Sequence, residues 1–176
     1  MTGLPVWKRR AALSAVALGA VAAGAVALHA YLTPTPRILR LADGTEVFYL
    51  SNTRVDPAKT YPHSREIRID GDAFIRAPAG AQPLIVRSRL MLLTVTGPSA
   101  LRVTAYAKES GEEAQVLYGQ VEAKKAYPSH QSEPDTLAGG QEVMINETID
   151  LQEKETTNLA QLRSWSAALV ASVEVR

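Results

Sequence analysis

Residues 11–32 form an unbroken stretch without a charged side chain, and this stretch constrains the fold more than any other feature of the sequence. A helix of this length spans about 33 Å, close to the roughly 30 Å hydrocarbon core of a bilayer. Inside a bilayer the backbone must satisfy its own hydrogen bonds, which favours a helix. The stretch therefore predicts one transmembrane helix at residues 11–32.

The charges on either side of this stretch indicate its orientation. Residues 1–10 carry Lys8, Arg9 and Arg10 and no acid, whereas the residues after 32 carry 16 Lys and Arg against 18 Asp and Glu. Because positively charged flanks stay in the cytoplasm, we expect a basic cytoplasmic stub at residues 1–10 and export of everything from Thr33 onward. The basic residues after the stretch are scattered among acids, so the sequence does not predict nucleic-acid binding.

A cleavable signal peptide is the alternative interpretation of the same segment. Residues 28–30, Leu-His-Ala, are acceptable as a cleavage site, and ten of the twenty residues 11–30 are alanine, so the segment is only weakly hydrophobic. Its length argues against cleavage, since the apolar region of a signal peptide is usually about 7–15 residues long. Both interpretations export the rest of the chain, either anchored or as a soluble protein.

The residue types needed for catalysis or metal binding are absent or isolated in the sequence. The absence of cysteine excludes a disulfide framework, a thiolate metal site and a lipid-modified cysteine anchor. His29, His63 and His130 have no carboxylate or second histidine at ligand spacing. Asp70-Gly71-Asp72 is interpreted as a tight turn, because one acid pair supplies too few ligands for calcium. We therefore predict no catalytic, cofactor or metal site and no enzymatic activity.

The exported part is predicted to be an all-β domain that follows a short linker. Two prolines in residues 33–37 disfavour a helix and predict an extended, Pro-rich linker. In residues 38–151, alternating or short apolar runs are separated by turn residues such as Asp43-Gly44. This pattern predicts a sandwich or a solenoid-like sheet. Its predicted strands are residues 45–50, 66–70, 73–77, 83–87, 90–95, 101–107, 114–118, 120–123, 142–145 and 148–151.

Residues 152–176 break this pattern and are predicted to form a C-terminal helix and tail. Leu159, Leu162, Trp165 and Leu169 recur at steps of three or four residues, which is the spacing of an amphipathic helix. A Thr-Asn pair immediately before them is typical of a helix cap. The apolar stripe could cover an open edge of the sheet or bind a partner protein, and we favour the first interpretation.

Several segments of the exported part follow, in order, the motifs of one bacterial protein family. A D-G-S/T-x-V strand corresponds to Asp43–Val47, and an R-x-V-x-L-x-G-E-A-F-F-x-V stretch corresponds to Arg65–Ala77. Weaker matches follow at residues 83–87, 95–106, 117–122, 137–141 and 165. The exported part therefore resembles the FecR domain, the periplasmic part of cell-surface-signalling sigma regulators. It departs from the family where Pro98–Leu101 replaces G-T-x-F and where Tyr118 replaces a glutamate.

The resemblance implies a periplasmic FecR-type β domain, either held by one inner-membrane helix or released as a soluble protein. It implies a binding or signalling module without cofactors, in envelope or iron-responsive signal transduction. The implied partners are envelope proteins, such as a TonB-dependent receptor or a sigma-regulator system. Because residues 1–10 stand where family members hold the sigma factor with a whole domain, we expect no direct anti-sigma activity. A structural envelope scaffold or assembly protein without a signalling role is the alternative.

Overall fold

The computed structural model describes residues 34–130 and 133–174. The predicted cytoplasmic stub and the predicted transmembrane helix at residues 11–32 lie outside this part of the chain. Within the described residues no helix is long and apolar enough to span a membrane. The compact unit that contains the predicted β domain begins at Pro36.

The described residues form twelve β-strands and one helix, which confirms the prediction of an all-β domain followed by a C-terminal helix. In chain order the elements are β1 (Pro36–Arg40), β2 (Glu46–Leu50), β3 (Arg54–Pro57), β4 (Glu66–Ala77), β5 (Leu84–Arg87), β6 (Met91–Val95), β7 (Ser99–Ala105), β8 (Gly111–Tyr118), β9 (Gln120–Lys125), β10 (Asp135–Ala138), β11 (Gln141–Asn146), β12 (Leu151–Thr156) and α1 (Leu159–Glu174). Strand β1 begins inside the segment predicted as a linker.

The strands form one continuous twelve-stranded sheet with two parts, sheet A and sheet B, which share strand β4. Sheet A has the order β1-β2-β4-β7-β8-β11-β12, and sheet B has the order β3-β4-β5-β6-β9-β10. Neighbouring strands are antiparallel except for β4 and β5, which are parallel. Alternate residues of both sheets face the space between them, where Val, Ile, Leu and Ala side chains form the main core. The described residues are therefore mostly β, with a barrel-like sheet and one C-terminal helix, and the sandwich or solenoid-like arrangement stays a prediction.

Strand β4 continues through Asp70-Gly71-Asp72, so the predicted turn at this position is wrong. Residues before Gly71 pair with β3 in sheet B, and residues from Gly71 onward pair with β7 in sheet A. Gly71 has a φ of 131°, and a Cβ added there would lie 2.5 Å from Thr53 Oγ1. The Thr53 hydroxyl donates to the Asp72 carbonyl at 3.0 Å and accepts from the Asp72 amide at 2.9 Å. Glycine is therefore required where β4 passes from one sheet to the other.

Helix α1 packs on the outer face of sheet A. Its N-terminus is capped by Asn158 Oδ1, which accepts a hydrogen bond from the Gln161 amide at 3.1 Å. Leu169 and Val170 are buried in a second apolar cluster that includes Phe74 of β4. The predicted amphipathic helix is confirmed, and it packs against β1, an edge strand of sheet A, and against β2 and β8. It covers a sheet face, while β12 stays exposed at the opposite edge.

The predicted strand at residues 148–151 is wrong, because residues 147–150 form a turn and β12 starts at Leu151. Asp150 has a φ of 49°, and its Oδ1 lies 2.8 Å from Lys125 Nζ. This ion pair stabilises the turn. Because β12 follows the turn, the all-β part extends to Thr156 instead of ending at residue 151. Strands β1, β3 and β10 are additional to the predicted ones.

Candidate functional site

No metal centre forms in the part of the chain that the structure describes. No three His, Asp or Glu side chains there lie close enough together to hold a metal ion. His63 and His130 are exposed in loops, and His29 lies outside the described residues. The candidate site is instead a charged, concave surface lined by β3, β4, β5 and neighbouring loops.

This surface is a groove of about 460 Å³, which we call the arginine groove because four arginines line it. Arg54 comes from β3, Arg68 from β4 and Arg87 from β5, and Arg89 lies in the turn between β5 and β6. The groove also contains an apolar wall of small or short side chains from β4, β7 and the segments that follow β7 and β9. The residues of this wall are Ile69, Ala105, Ala107 and Ala126.

The register of the strands brings the arginines together. Arg68 is directly opposite Arg87 across the parallel β4–β5 pair, and it is opposite Asp56 across the β3–β4 pair. On the same face, Arg54 is opposite Asp70. Like charges in opposite positions of a sheet are unfavourable. The Arg68–Arg87 pair therefore places two cations side by side, with Asp56 opposite Arg68 and Glu66 bonded to Arg87.

The arginines of the groove differ in how many of their donors are already in use. Arg87 Nε donates to Glu66 Oε1 at 2.8 Å, and Arg54 Nε lies 2.5 Å from Asp56 Oδ2. The terminal nitrogens of Arg54 and Arg87 donate no hydrogen bond to any described residue. Arg68 is exposed and forms no ion pair with any described residue. The groove thus presents unused guanidinium donors to solvent.

The wall near Arg89 is held by contacts with the loops that flank β8 and β11. Arg89 Nη1 lies 2.5 Å from Glu147 Oε1, and its Nη2 donates to the Glu109 carbonyl. The hydrogen bond with Glu147 raises the pKa of Arg89. Asp70 Oδ1 accepts a hydrogen bond from the Ala107 amide at 2.9 Å. These contacts fix the shape of the groove before any ligand arrives.

A buried glutamate supports the turn that carries Arg89. Glu112 is only 2% exposed, and its Oε2 accepts hydrogen bonds from the Ser88 hydroxyl and, at 3.0 Å, from the Leu90 amide. Its other carboxylate oxygen has no partner among the described residues. Burial raises the pKa of Glu112, and the hydrogen bonds from Ser88 and Leu90 oppose this increase only in part. The turn at Arg89, which forms one rim of the groove, is therefore held by hydrogen bonds to an ionisable side chain, that of Glu112.

The outer face of sheet A beyond α1 has the opposite charge. Glu113, Glu142, Glu153 and Glu155 occupy neighbouring positions of β8, β11 and β12, around an exposed Met144. Burial, and then the neighbouring carboxylate of Glu142, raise the pKa of Glu113. The β domain is therefore acidic on part of one outer face and carries the arginine groove elsewhere.

Trp165, one of the residues that carry the FecR resemblance, has a packing role. The guanidinium carbon of Arg102 lies 3.9 Å from the centre of the Trp165 ring. Arg102 also forms two hydrogen bonds with the Asp72 carboxylate, at 2.9 and 2.7 Å. The ring of Trp165 meets Phe74 edge-on, with 6.5 Å between the ring centres. These contacts attach α1 to sheet A.

Arg65 and Asp43, which begin two of the FecR-like motifs, also connect parts of the fold. Arg65 is buried and donates to Asp43 Oδ2 at 2.8 Å and to the Pro78 carbonyl at 3.3 Å. Burial alone would raise the pKa of Asp43, but the neighbouring Tyr61 hydroxyl and hydrogen bonds from Thr45 and Arg65 lower it to about 2. Burial raises the pKa of Tyr61 to about 12. This pair ties three loops together and lies outside the arginine groove.

The sequence predicts no site residues, so the arginine groove is a finding of the structure. One signal for it is present, since Arg68 and Asp70 alternate with the buried Ile67 and Ile69 and must therefore face solvent. The neighbours of Arg68 on β3 and β5 depend on strand register, which the alternation alone does not determine.

Comparison with known proteins places the fold. No family model and no curated protein matches the chain. Two crystal structures of a candidate anti-sigma factor from Parabacteroides distasonis ATCC 8503, at 1.65 and 2.50 Å resolution, do match it. The first has a TM-score of 0.65 and 22% identity, over 75% of this chain and 60% of that chain. The second has a TM-score of 0.63 and 21% identity, over 76% of this chain and 62% of that chain.

The chain shares the fold of these structures. At this level of identity the likeness extends to the fold alone, and the chain matches about 60% of their length. Their activity as whole proteins is therefore considered below as part of a proposal.

Proposed function

We propose that this protein is a membrane-anchored periplasmic regulator of the FecR type, which transmits a signal through contacts with other envelope proteins. The fold likeness to candidate anti-sigma factors supports a regulatory role. The order of FecR-like motifs between Asp43 and Trp165 supports the same family independently.

The observation that carries a binding function is the arginine groove. It is concave and charged, and Arg68 offers donors that no described residue uses. By contrast, the buried polar groups Arg65 and Lys125 are satisfied by ion pairs and by hydrogen bonds to loops. The exposed, unused donors of Arg68 therefore support recognition of another protein.

The proposed anchor is the uncharged segment at residues 11–32, with the domain on the periplasmic side. Alkaline carbonate extraction of membranes tests it. We expect the full-length chain to stay in the membrane pellet, and release of a shortened chain would show that the segment is a cleaved signal peptide.

The proposed partners belong to an extracytoplasmic sigma-factor system, such as its regulator or a TonB-dependent receptor. Deletion of the gene followed by transcript measurement under iron limitation tests this role. We expect altered transcription of promoters that depend on an extracytoplasmic sigma factor, and restoration by the full chain. Unchanged transcription in the deletion strain would contradict a signalling role and favour the structural scaffold.

A further inference from the structure

From the unused donors of the arginine groove we infer the chemistry of its occupant: an extended, acidic segment of another protein. This inference deepens the proposed function, on which it rests, by naming what a partner must present. Guanidinium groups bind carboxylates through paired, charge-assisted hydrogen bonds, which are stronger than neutral ones. Arg68 and the terminal nitrogens of Arg87 supply such pairs at the centre of the groove.

The spacing of the arginines fits a chain in extended conformation. Arg68 and Arg87 lie on neighbouring strands, about 4.8 Å apart, so one carboxylate can contact both guanidinium groups. Arg54 is opposite Asp70, which is two residues further along β4 and therefore roughly 7 Å from Arg68 along the strand. Side chains on one face of an extended segment repeat at the same interval of roughly 7 Å. Arg54 is also one strand spacing to the side of Arg68, so their Cα atoms are about 8 Å apart, and alternate acidic residues of a segment that runs obliquely across β3 and β4 would meet Arg54 and Arg68.

The acids of the groove argue for a protein occupant and against a nucleic acid or an anionic membrane. Asp56 and Asp70 alternate with the arginines and Glu66 pairs with Arg87, so the groove has isolated cationic points and no continuous basic surface. Dense phosphate arrays bind through continuous basic surfaces. The apolar wall at Ala107 and Ala126 gives the intervening side chains of a peptide a surface to pack on.

The residues of the sequence in hand do not offer an acidic segment for the groove. None of those outside the described ranges is Asp or Glu. The acidic residues of the described β domain belong to its own strands and loops, such as Glu153 and Glu155 at the edge of sheet A.

The test uses the purified full chain in a non-ionic detergent and a fluorescein-labelled decapeptide of alternating glutamate and valine. Anisotropy measures its affinity for the original chain and for the Arg68→Gln/Arg87→Gln double variant. The matched control is Lys154→Gln/Arg163→Gln, which removes the same charge from exposed positions on β12 and α1. We expect the groove variant to bind at least about tenfold more weakly, and the control to bind within about twofold of the original chain.

Each other outcome would overturn the inference. An equal loss of affinity in both double variants would mean that binding depends on net charge and not on the groove. A second peptide, of alternating glutamine and valine, has no carboxylate side chains, and an equal affinity for it would mean that the carboxylates are not recognised. No peptide binding, combined with groove-dependent binding of dioctanoyl phosphatidylglycerol, would point to a membrane surface. A dimer in light scattering that the groove variant abolishes would assign the groove to a second copy. None of these results depends on transcription, so the inference and the proposed function can fail separately.

Discussion

Replacement of Gly71 by alanine tests the passage of β4 between the sheets. The substitution adds one methyl group at a φ of 131°, where side chains are rarely tolerated. The new Cβ would lie 2.5 Å from Thr53 Oγ1 and 2.8 Å from Thr53 Cα. Because Thr53 Cα is a backbone atom, a rotation of the threonine side chain cannot remove the second contact.

Two other glycines separate the causes of the expected loss. Gly140 also has a positive φ, of 87°, but a Cβ added there meets nothing within 4 Å. Gly97 has neither a positive φ nor a close neighbour. Backbone strain costs about 1–3 kcal/mol, and overpacking adds about 1–3 kcal/mol. We therefore expect the free energy of unfolding to fall by about 2–6 kcal/mol for Gly71→Ala, by about 1–3 kcal/mol for Gly140→Ala, and to change by less than about 1 kcal/mol for Gly97→Ala.

Urea unfolding of the full chain in a non-ionic detergent, followed by circular dichroism in the β region, measures these differences. Equal losses for Gly71→Ala and Gly140→Ala would mean that Thr53 does not crowd Gly71. A Gly71→Ala variant as stable as Gly97→Ala would refute the description of β4 as one strand shared by two sheets. If Gly71→Ala fails to fold, Gly71→Ala combined with Thr53→Gly would still test the contact, because Thr53 Oγ1 and Cβ, two of the three atoms nearest to the added Cβ, are removed.

Three further substitutions test the packing of α1 and the two buried carboxylates. Trp165→Ala should lower the free energy of unfolding by about 3–5 kcal/mol, because it removes the ring between Arg102 and Phe74. Urea unfolding measures this loss, and a loss below about 1 kcal/mol would contradict the packing described for Trp165. Glu112 has a raised pKa when folded, so its contribution to stability is present below its unfolded pKa and is lost as the pH rises through the folded pKa. Glu112→Gln should abolish this decline in a series of melting temperatures from acidic to neutral pH, and an unchanged pH profile would contradict the burial of the charge. Asp43 has its pKa lowered from 3.8 to about 2, so its contribution is present above the unfolded pKa and is lost as the pH falls toward about 2. Asp43→Asn should lower the free energy of unfolding at neutral pH by about 3–5 kcal/mol, because it leaves the Arg65 guanidinium buried and without its carboxylate. Urea unfolding measures this loss.

The sequence predicted the elements whose own side chains alternate strongly. Residues 66–70 alternate buried and outward-facing side chains, and they lie in a strand as expected. The C-terminal helix was predicted from its apolar spacing and its cap, and both are present. Its position on a sheet face could not be predicted, because it depends on the pairing of Phe48 and Phe74 across β2 and β4.

The strands missing from the sequence prediction are short edge strands of the two sheets. Strand β3 is Arg-Val-Asp-Pro and β10 is Asp-Thr-Leu-Ala, so neither alternates over enough residues to indicate a strand, and β1, Pro-Arg-Ile-Leu-Arg, begins inside the predicted linker. Whether such segments form strands depends on pairing with neighbouring strands, and a local sequence pattern does not predict that pairing. The same limit explains the error at Asp70-Gly71-Asp72, because an Asp-Gly sequence suits a turn as well as a strand that changes sheets. Only the hydrogen bonds with Thr53 distinguish the two.

The arginine groove escaped prediction for a related reason. Arg54, Arg68 and Arg87 are separated by more than a dozen residues each in the sequence, and no motif links them. They become neighbours through the antiparallel pairing of β3 and the parallel pairing of β5 with the same strand. The alternation of β4 predicts that Arg68 faces solvent, but it does not predict that Arg54 and Arg87 lie beside it.

Strand β4 also determines how the domain unfolds. Its first half is hydrogen-bonded to β3 and β5, and its second half to β2 and β7, so neither sheet has a complete set of strands without it. Opening of either sheet therefore breaks bonds that belong to the other, and partial unfolding of one sheet alone is disfavoured. The arginine groove and the surface that holds α1 consequently belong to one cooperative unit, which either keeps both surfaces or loses both.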